Sequence, residues 1–561
     1  MQNRMKKFLI LFLGTIALLG IMTAGYAFMQ LSQPEVSVAK NPSNRVSLSF
    51  PVSLSQNTGG NCGSPSGGET DNIIANFYGK EAYAWANQIR WNCVYNINDF
   101  KGSTLVNQFN QARDAASKNG GGVVYFPAGT YQFDRSIQLK EGVVLRGEAP
   151  NIKNAKSSDY LPLSKLVFPK YEPKFSGNGT PNETAFKQIS TMNPETDSNI
   201  GLINLDINRA AISLLGDMDT HKNKNIIVFG VRSNNVAKPD PKVPDSSFQN
   251  PWQRHSYRFA SNIEIAAFEN ILVANNRIND EITDNFEQPG YQLKTSDKKS
   301  AITYRDGKKA IFNYSNHYGI VVNRFGKEGG FTLAATPQTE PGLFRKGIVI
   351  RDNWVYHTMR VGIHASGEGL IIKDNQVRDQ ANKQWWLHPT GLREATGAVT
   401  LENRAIDWSG FNVLIEGNDY QVYRHKIAET KYLSVDGEGI LIQECCGGTK
   451  VNGVVIQNNQ GNGYIGLYKV QDIKNARIEN NQLTTNNADI FIVADTNNQP
   501  YRMENVKILN NTVGGDIIAK ASSGGSGNIV QGNINKGSGK IEHTCSVEVK
   551  NNTGFSTPPC L

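Results

Sequence analysis

A series of polar residues recurs at one position of short apolar segments in the second half of the chain. Each occupies the fourth position of its segment; in chain order they are Asn323, His364, Glu402, Gln443 and Tyr468, and the sixth segment has Val493 at this position. If the segments are stacked parallel strands, like positions lie ~4.8 Å apart and the fourth residue projects outward. The pattern predicts one exposed column that is polar over five coils and apolar at the sixth.

One reaction that suits this column is β-elimination on a uronate. A lyase needs a base to remove the C5 proton and a cation or hydrogen-bond donor to neutralise the carboxylate. The residues that could act as the base are His364, Tyr468 and Lys469, and those that could neutralise the carboxylate are Arg360 and Arg404. Glu402 is central in the column, and the flanking Arg404 should keep its carboxylate ionised. We therefore predict a catalytic role for Glu402 as well.

A glycoside hydrolase instead needs two carboxyl groups, ~5 Å apart for retention or ~6.5–9.5 Å apart for inversion. Glu402 could pair with Asp436, Glu438 or Glu444, because neighbouring coils give the first distance and alternate coils the second. The residues predicted to bind substrate are Asn323, Arg360, Trp385, Trp386, Asp436, Glu438, Gln443 and Glu444. The two tryptophans lie in a long insertion between the strands that carry His364 and Glu402, so their rings could wall a sugar-binding cleft.

Short strands that end in asparagine recur along the same half of the chain. The recurrent residues are Asn353, Asn375, Asn418, Asn459, Asn481, Asn511 and Asn533, at successive steps of 22, 43, 41, 22, 30 and 22 positions. Repeats of this order indicate a solenoid, in which the long steps are either one coil with an insertion or two coils. Asparagine suits a repeated turn because it tolerates left-handed backbone and can hydrogen-bond the equivalent asparagine of the next coil.

A helix followed by closely spaced strands begins the repeated region. The sequence predicts a helix over 104–118, with Ser103 as N-cap, Phe109 and Ala112 on its apolar face, and glycines at 120–122 that end it. The segments GGVVYFPAGTY (121–131) and VVLRG (143–147) follow.

This arrangement resembles the N-terminal module of the pectate-lyase-like superfamily, which includes polysaccharide lyases, β-helical glycosidases and phage tailspikes. The resemblance covers about 95–150 specifically and the remainder only as architecture. It implies an all-β fold: a right-handed, single-stranded parallel β-helix with an N-terminal capping helix. The chain departs from the family at Lys101-Gly102-Ser103, where an acidic segment is common.

The N-terminus has the pattern of an export signal. Three basic residues precede an apolar run over 8–24, which predicts a signal peptide or a membrane anchor over 1–29. A segment rich in Ser, Asn, Gly and Pro follows, so we expect a linker over 30–70, the β-helix over 71–540 and a C-terminal tail over 541–561. The expected location is secreted, periplasmic or at the cell surface, with membrane contact only through an uncleaved anchor.

Six cysteines occur in the 561 residues, and none of them forms a CxxC pair or stands beside histidines at metal-ligand spacing. A zinc site is therefore not expected, and an even number of cysteines in an exported chain favours disulfides. The pairing of sequence neighbours would be Cys62 with Cys93, Cys445 with Cys446, and Cys545 with Cys560. Calcium (Ca²⁺) binding is left open, because carboxylates and loop carbonyls are plentiful although no EF-hand-like spacing occurs.

The net charge of +8 is spread along the chain and forms no basic stripe, so nucleic acid is not an expected partner. A polysaccharide partner agrees with this charge and with the resemblance. We expect an exported protein that binds and cleaves an acidic, uronate-containing polysaccharide by β-elimination. The alternatives are a glycoside hydrolase with paired carboxylates, a uronate epimerase, and a glycan-binding or adhesive surface protein without catalysis.

Overall fold

The computed structural model describes residues 72–169, 187–216, 223–236, 261–280, 318–323, 346–357, 361–379, 399–422, 425–426, 433–442, 451–485, 489–494 and 501–561. All of them belong to one compact unit. In this part of the chain the α-helices are α1 (Ile73–Tyr78) and α2 (Leu105–Lys118), and the 3₁₀ helices are Ala84–Gln88 and Ile97–Asp99. No helix in these ranges is both long and apolar enough to cross a membrane.

Short strands make up most of the rest. The first are β1 Val94–Asn96, β2 Gly122–Phe126, β3 Gly129–Gln132, β4 Ile137–Leu139, β5 Val143–Gly147, β6 Ser164–Val167, β7 Lys187–Thr191, β8 Ile200–Ile203, β9 Leu205–Asn208, β10 Ala210–Leu215, β11 Lys224–Phe229, β12 Arg232–Asn234 and β13 Ser261–Ala266. They are followed by β14 Glu269–Ala274, β15 Arg277–Asp280, β16 Tyr318–Val322, β17 Lys346–Arg351, β18 Trp354–His357, β19 Val361–Glu368, β20 Ile371–Lys373, β21 Gln376–Asp379, β22 Val399–Glu416, β23 Asp419–Gln421, β24 His425–Lys426, β25 Leu433–Ile442 and β26 Val451–Gln457. The last are β27 Gln460–Gly461, β28 Tyr464–Val470, β29 Ile473–Glu479, β30 Gln482–Leu483, β31 Ile490–Ala494, β32 Met503–Leu509, β33 Thr512–Val513, β34 Ile517–Ala521, β35 Asn528–Gln531, β36 Ile534–Asn535, β37 Ile541–His543 and β38 Val547–Lys550.

The strands stack in three faces. The back face runs β1, β2, β5, β8, β11, β14, β17, β20, the second half of β22, β26, β29, β32, β35 and β38. The side face runs β3, β6, β9, β12, β15, β18, β21, β23, β27, β30, β33 and β36. The front face runs β4, β7, β10, β13, β16, β19, the first half of β22, β25, β28, β31, β34 and β37.

Within the described ranges every strand pairing is parallel except that of β24 with β25. Each coil of chain supplies one strand to the back, side and front faces in turn, and parallel crossover connections are right-handed in nearly all proteins. The fold is a right-handed parallel β-helix, as the sequence predicts.

A column of isoleucines fixes the interior of the front face. Pairing partners on successive strands are Ile137, Ile189, Ile212, Ile263, Ile320, Ile363, Ile406, Ile440, Ile465, Ile490, Ile517 and Ile541, each at most 2% exposed. β-branched side chains pack well on a pleated surface, and burial of each such side chain contributes ~1.5–3 kcal/mol. This column defines the register of every front-face strand.

The asparagine ladder at the turn from back face to side face confirms the predicted turn. In each buried member the side-chain amide nitrogen donates to the side-chain oxygen of the next asparagine at 2.9–3.0 Å. The ladder runs from Asn276 through Asn353, Asn375, Asn418, Asn459, Asn481 and Asn511 to Asn533. The left-handed backbone, however, belongs to the preceding residue, for example Asp374 (φ 53°) and Asn480 (φ 54°). The ladder asparagine itself serves as hydrogen-bonding partner only.

The ladder also settles the long steps, because Asn375 bonds directly to Asn418 across 43 positions and Asn418 to Asn459 across 41. Each long step is thus one coil with an insertion.

Both ends of the solenoid agree with the prediction in outline and differ in detail. Helix α2 buries Phe109 and Ala112 in the core, but Thr104 rather than Ser103 is its N-cap, with the hydroxyl accepting from the Asn107 amide at 3.2 Å. At the other end β37 and β38 pair with β34 and β35, so the β-helix continues past residue 540 into the predicted tail.

The disulfide predicted between Cys545 and Cys560 is present. Cys93 is also disulfide-bonded. Cys62, Cys445 and Cys446 lie outside the described residues, so the pairing of Cys62 with Cys93 and that of Cys445 with Cys446 stay predictions. The segments 1–29 and 30–70 lie outside them as well.

Candidate functional site

The middle of the front face carries a cluster of buried ionisable side chains on the side that points away from the isoleucine column. We call it the front-face network, and its members are His364 on β19, Arg404 and Asp407 on β22, Glu438 on β25 and Tyr464 on β28. These strands are consecutive rungs of the front face.

A bend at the same point of β19, β22 and β25 brings the members together, and on β28, which has one residue fewer there, Tyr464 directly precedes Ile465. The pairing passes from Val361–Arg404 directly to Ile363–Ile406, and the residues left between the pairs are Gly362 and Ala405. On the neighbouring rungs Gly319 and Gly439 hold the same position, and a Cβ on Gly319 would approach the Gly362 carbonyl to 2.6 Å. Small residues are therefore required at this corner, and the strict alternation of side chains is interrupted there. As a result Arg404 and Asp407, three positions apart, contact each other.

The network is continuous from one end to the other. His364 Nδ1 lies 3.2 Å from Asp407 Oδ2, and the same oxygen lies 3.4 Å from Arg404 Nη1. The Nε of Arg404 donates to Glu438 Oε2, and the Tyr464 hydroxyl donates to Glu438 Oε1 at 2.7 Å. An ionised carboxylate only accepts hydrogen bonds, so Nδ1 of His364 is the donor in its contact with Asp407.

The charged groups are almost fully buried: His364, Arg404 and Asp407 are 2% exposed and Glu438 is 4% exposed. A low-dielectric surrounding strengthens interactions between charges but makes each isolated charge costly. Arg404 lies between two carboxylates, so it balances part of their charge. Such buried and coupled acid–base groups are concentrated at functional sites more often than elsewhere.

An apolar cluster of Tyr318, Val321 and Val361 covers one side of the network. The Tyr318 ring meets the imidazole of His364 edge to face, with ring centroids 6.1 Å apart. At the opposite end the Tyr464 ring meets that of Phe491 at 5.4 Å in the same manner. The network is thus held by aromatic contacts at both ends.

The predicted column is wrong in register for two of its members. The segments beginning at Ile320, Ile440, Ile465 and Ile490 do share a register, because these residues all lie in the isoleucine column. His364 is two positions earlier, since Ile363 and not Val361 lies in that column. Glu402 is displaced much further, because its partner is Asp436 and the partner of His364 is Asp407. The bend is the reason. Under strict alternation of side chains, Val361 is assigned an inward position like Ile363, so the predicted segment begins at Val361 instead of Ile363.

Asn323 also differs from the prediction, since it does not project outward from the column. It is 3% exposed and has left-handed backbone with φ 55°. Its side-chain oxygen accepts from the Ala267 amide at 3.0 Å, which makes it a turn-stabilising residue.

Most other predicted site residues cannot be compared with the structure. Arg360, Trp385, Trp386, Gln443 and Glu444 lie outside the described residues. For another group only the backbone is described, namely Glu402, Asp436, Tyr468 and Lys469. Of these, Tyr468 and Lys469 lie where the pairing of β28 with β31 is irregular. Their roles stay predictions.

Of the predicted residues, the network unites His364, Arg404 and Glu438, and it adds Asp407 and Tyr464, which the sequence reasoning missed. Asp407 could have been found, because Ile406-Asp407-Trp408 alternates between apolar and polar residues. In the parts of the chain described, no group of three or more His, Cys, Asp or Glu side chains could hold a metal ion.

Three solved structures are similar to this chain. The surface protein and adhesin PfbA of Streptococcus pneumoniae is 13% identical, with 83% of this chain and 98% of that chain covered and a TM-score of 0.39. The A-module of mannuronan C-5 epimerase AlgE4 of Azotobacter vinelandii is 11% identical, with 83% and 97% covered and a TM-score of 0.27. The tailspike protein of Escherichia coli bacteriophage HK620, in complex with a pentasaccharide, is 10% identical, with 82% and 75% covered and a TM-score of 0.36.

A search of curated protein sequences found no match. The sequence model of one family, described as rhamnogalacturonase A/epimerase, pectate lyase-like, matches residues 104–386, which is half of the chain. That match begins at the N-cap of the capping helix and extends beyond the strand that carries His364. The chain belongs to the rhamnogalacturonase A/epimerase, pectate lyase-like family.

Proposed function

We propose that the protein binds an acidic polysaccharide on its front face and cleaves it by β-elimination. The observation that carries this proposal is the contact between His364 Nδ1 and Asp407 Oδ2. A carboxylate in this position orients the imidazole and makes Nε2 more basic, and it stabilises the imidazolium that forms when a proton is taken up. His364 would be the base that removes the C5 proton of a uronate.

Arg404 would supply the positive charge that the reaction needs. Removal of the C5 proton transfers negative charge onto the uronate carboxylate, and a fixed cation in a water-poor site stabilises such charge strongly. Arg404 is held in place by Glu438 and Asp407, so its guanidinium needs no reorganisation during the reaction. The electron pair of the C5–H bond then forms the C4=C5 double bond as the C4–oxygen bond breaks, and the leaving oxygen takes the proton held by the His364 imidazolium or one from water.

The substrate must be able to reach the base, His364. His364 and Asp407 are buried in the structure, so substrate binding must expose them.

The test compares Asp407→Asn and His364→Ala with the wild-type chain on polygalacturonate and alginate. The assay is the ultraviolet absorbance of the unsaturated product, with Asp419→Asn on the side face as a matched control. Each of the two front-face substitutions should lower turnover by ~10²–10⁴-fold. The control should keep wild-type turnover, and all variants should keep the wild-type circular dichroism. Full activity of the Asp407→Asn chain would refute the proposed base.

The same incubations distinguish the other chemistries. New reducing ends without absorbance would indicate hydrolysis, for which the register offers Glu402 opposite Asp436 on the next strand. A changed ratio of uronate epimers without cleavage would indicate an epimerase, which shares the proton removal. Binding of the polysaccharide to the chain without formation of any product would indicate a binding protein without catalysis.

We further propose that the protein works outside the cytoplasm, either secreted, in a periplasm or at a cell surface. The disulfide between Cys545 and Cys560 and the bonded state of Cys93 support this location, because disulfides persist in oxidising compartments. The N-terminal segment 1–29 would be the export signal, cleaved or kept as an anchor. Fractionation of cells that express the full chain, followed by mass spectrometry of the mature N-terminus, tests both points.

A further inference from the structure

The outer surface of the side face carries aromatic and cationic side chains on neighbouring rungs. Arg232, Arg277 and Trp354 are direct pairing partners on β12, β15 and β18. Tyr356 lies two positions after Trp354 on the same strand, so both side chains point to the same side. We call these four residues the side-face strip. It lies on a different face of the coil from the front-face network.

The two aromatic rings of the strip are parallel to each other. The rings of Trp354 and Tyr356 are parallel within 3°, with centroids 5.4 Å apart, and both residues are only partly buried. The Arg277 guanidinium lies 3.7 Å from the centroid of the Trp354 indole. A pyranose offers a flat surface of C–H groups on one side, and aligned aromatic rings are suited to pack against it.

The cationic part is fixed in place before any ligand arrives. The Nη1 atom of Arg277 donates to the carbonyl oxygens of Ala155 at 3.1 Å and Ser157 at 3.0 Å. A side chain held in this way loses little conformational entropy when it binds. The strip is therefore preorganised on both of its components.

The positive charges of the strip are incompletely balanced. Arg232 and Arg277 occupy the same position on adjacent rungs, ~4.8 Å apart along the solenoid. Burial and the nearby charge of Arg232 lower the pKa of Arg277. Arg232 has the Asp206 carboxylate at 3.5 Å, whereas in the described parts of the chain no carboxylate pairs with Arg277. An anionic group placed between the two guanidinium groups would relieve their repulsion.

We propose that the side-face strip is a second glycan-binding site, which takes a chain of carboxylate-bearing sugars. The aromatic pair of Trp354 and Tyr356 would carry one pyranose ring, and Arg277 with Arg232 would bind the carboxylate of the neighbouring sugar. The rung spacing is close to the length of one hexose residue, so a chain laid across the rungs meets these groups in succession. The strip requires no catalysis and stands apart from the proposed cleavage on the front face.

The test is affinity electrophoresis of the full chain in gels that contain polygalacturonate, with dextran gels as the neutral comparison. All samples carry His364→Ala, so that cleavage does not remove the polymer. Adding Trp354→Ala should weaken binding to polygalacturonate about tenfold, as for the loss of a central aromatic anchor. Trp354→Phe should keep most of the affinity. Gln482→Ala, in the same outer row on β30, should leave it unchanged.

Two further results decide the ligand class. Retardation by polygalacturonate should decrease as salt is added, and dextran should retard the chain much less. Equal retardation by both polymers would overturn the assignment to anionic sugars. Unchanged binding of the Trp354→Ala chain would overturn the site itself, whether or not the front face proves catalytic. Failure of the front-face proposal would appear instead as missing product from the chain without His364→Ala.

Discussion

Replacement of Asn418 by alanine tests how much the asparagine ladder stabilises the solenoid. The Asn418 side-chain oxygen accepts from the Asn375 backbone amide at 3.0 Å and from the Asn375 side-chain amide at 2.9 Å. Its nitrogen donates to the Ile372 carbonyl at 3.0 Å and to Asn459 at 2.9 Å. Each hydrogen bond contributes ~1 kcal/mol net, so four bonds at a buried position predict a loss of about 4 kcal/mol.

Asn552, at the end of the ladder, provides the matched control. It also makes four hydrogen bonds, two with Asn533 and two with the carbonyls of Val530 and Lys550. Its side chain is only partly buried, so water replaces the lost partners when it is truncated. Asn552→Ala should therefore cost about 1 kcal/mol.

The measurement is guanidinium unfolding followed by far-ultraviolet circular dichroism, with the free energy of unfolding compared among the wild type, Asn418→Ala and Asn552→Ala. The buried position should lose clearly more stability than the terminal one. Equal losses at the two positions, or a loss below about 1 kcal/mol at Asn418, would show that the ladder forms as a consequence of the fold and does not stabilise it.

Two other predictions concern charge and covalent structure. The hydrogen bond from Lys373, at 2.6 Å, lowers the pKa of Glu416, so this carboxylate contributes stability above its unfolded pKa and loses the contribution as the pH falls through its folded pKa. Thermal unfolding of Glu416→Gln should show a loss of about 0.5 kcal/mol near neutral pH and none in strong acid; a pH-independent loss would contradict this. Serine at both Cys545 and Cys560 should speed hydrogen exchange in β37 and β38 while the coils around β22 keep wild-type rates, because the disulfide closes a loop of 15 residues at the end of the solenoid. Exchange that rises equally along the chain would show instead that the disulfide holds the whole fold.

The architecture could be predicted because it repeats. The asparagine steps revealed the coil, and the amide-to-amide bonds follow from the chemistry of the side chain. The sequence could not assign the left-handed residue of the turn, because Asp374 and Asn480 belong to the same residue types as the ladder asparagines they precede. The sequence also could not show whether a long step is one coil with an insertion or two coils. Only a direct hydrogen bond, such as that from Asn375 to Asn418, distinguishes these two arrangements.

The site was harder to predict because it depends on a local exception. Outward and inward positions were assigned by strict alternation, and the corner at Gly362 and Ala405 interrupts it. The front-face part of β22 that pairs with β25 runs from Val399 to Trp408 and contains two apolar stretches, of which only the one around Asp407 also pairs with β19. Choosing the stretch around Glu402 instead of the one around Asp407 displaced the predicted column. His364 and Glu402 were therefore assigned to the wrong register.

The one-coil nature of the long steps has a consequence for how such a protein can change over time. The turn that carries Asn375 and Asn418 is fixed by hydrogen bonding, but the length of chain between the two asparagines is not. Doubling the length of a connection costs only ~0.6 kcal/mol in closure entropy. Insertions beside β22 and β25 can therefore lengthen during evolution without disturbing the coils. Related proteins could in this way come to bind different substrates on the same solenoid.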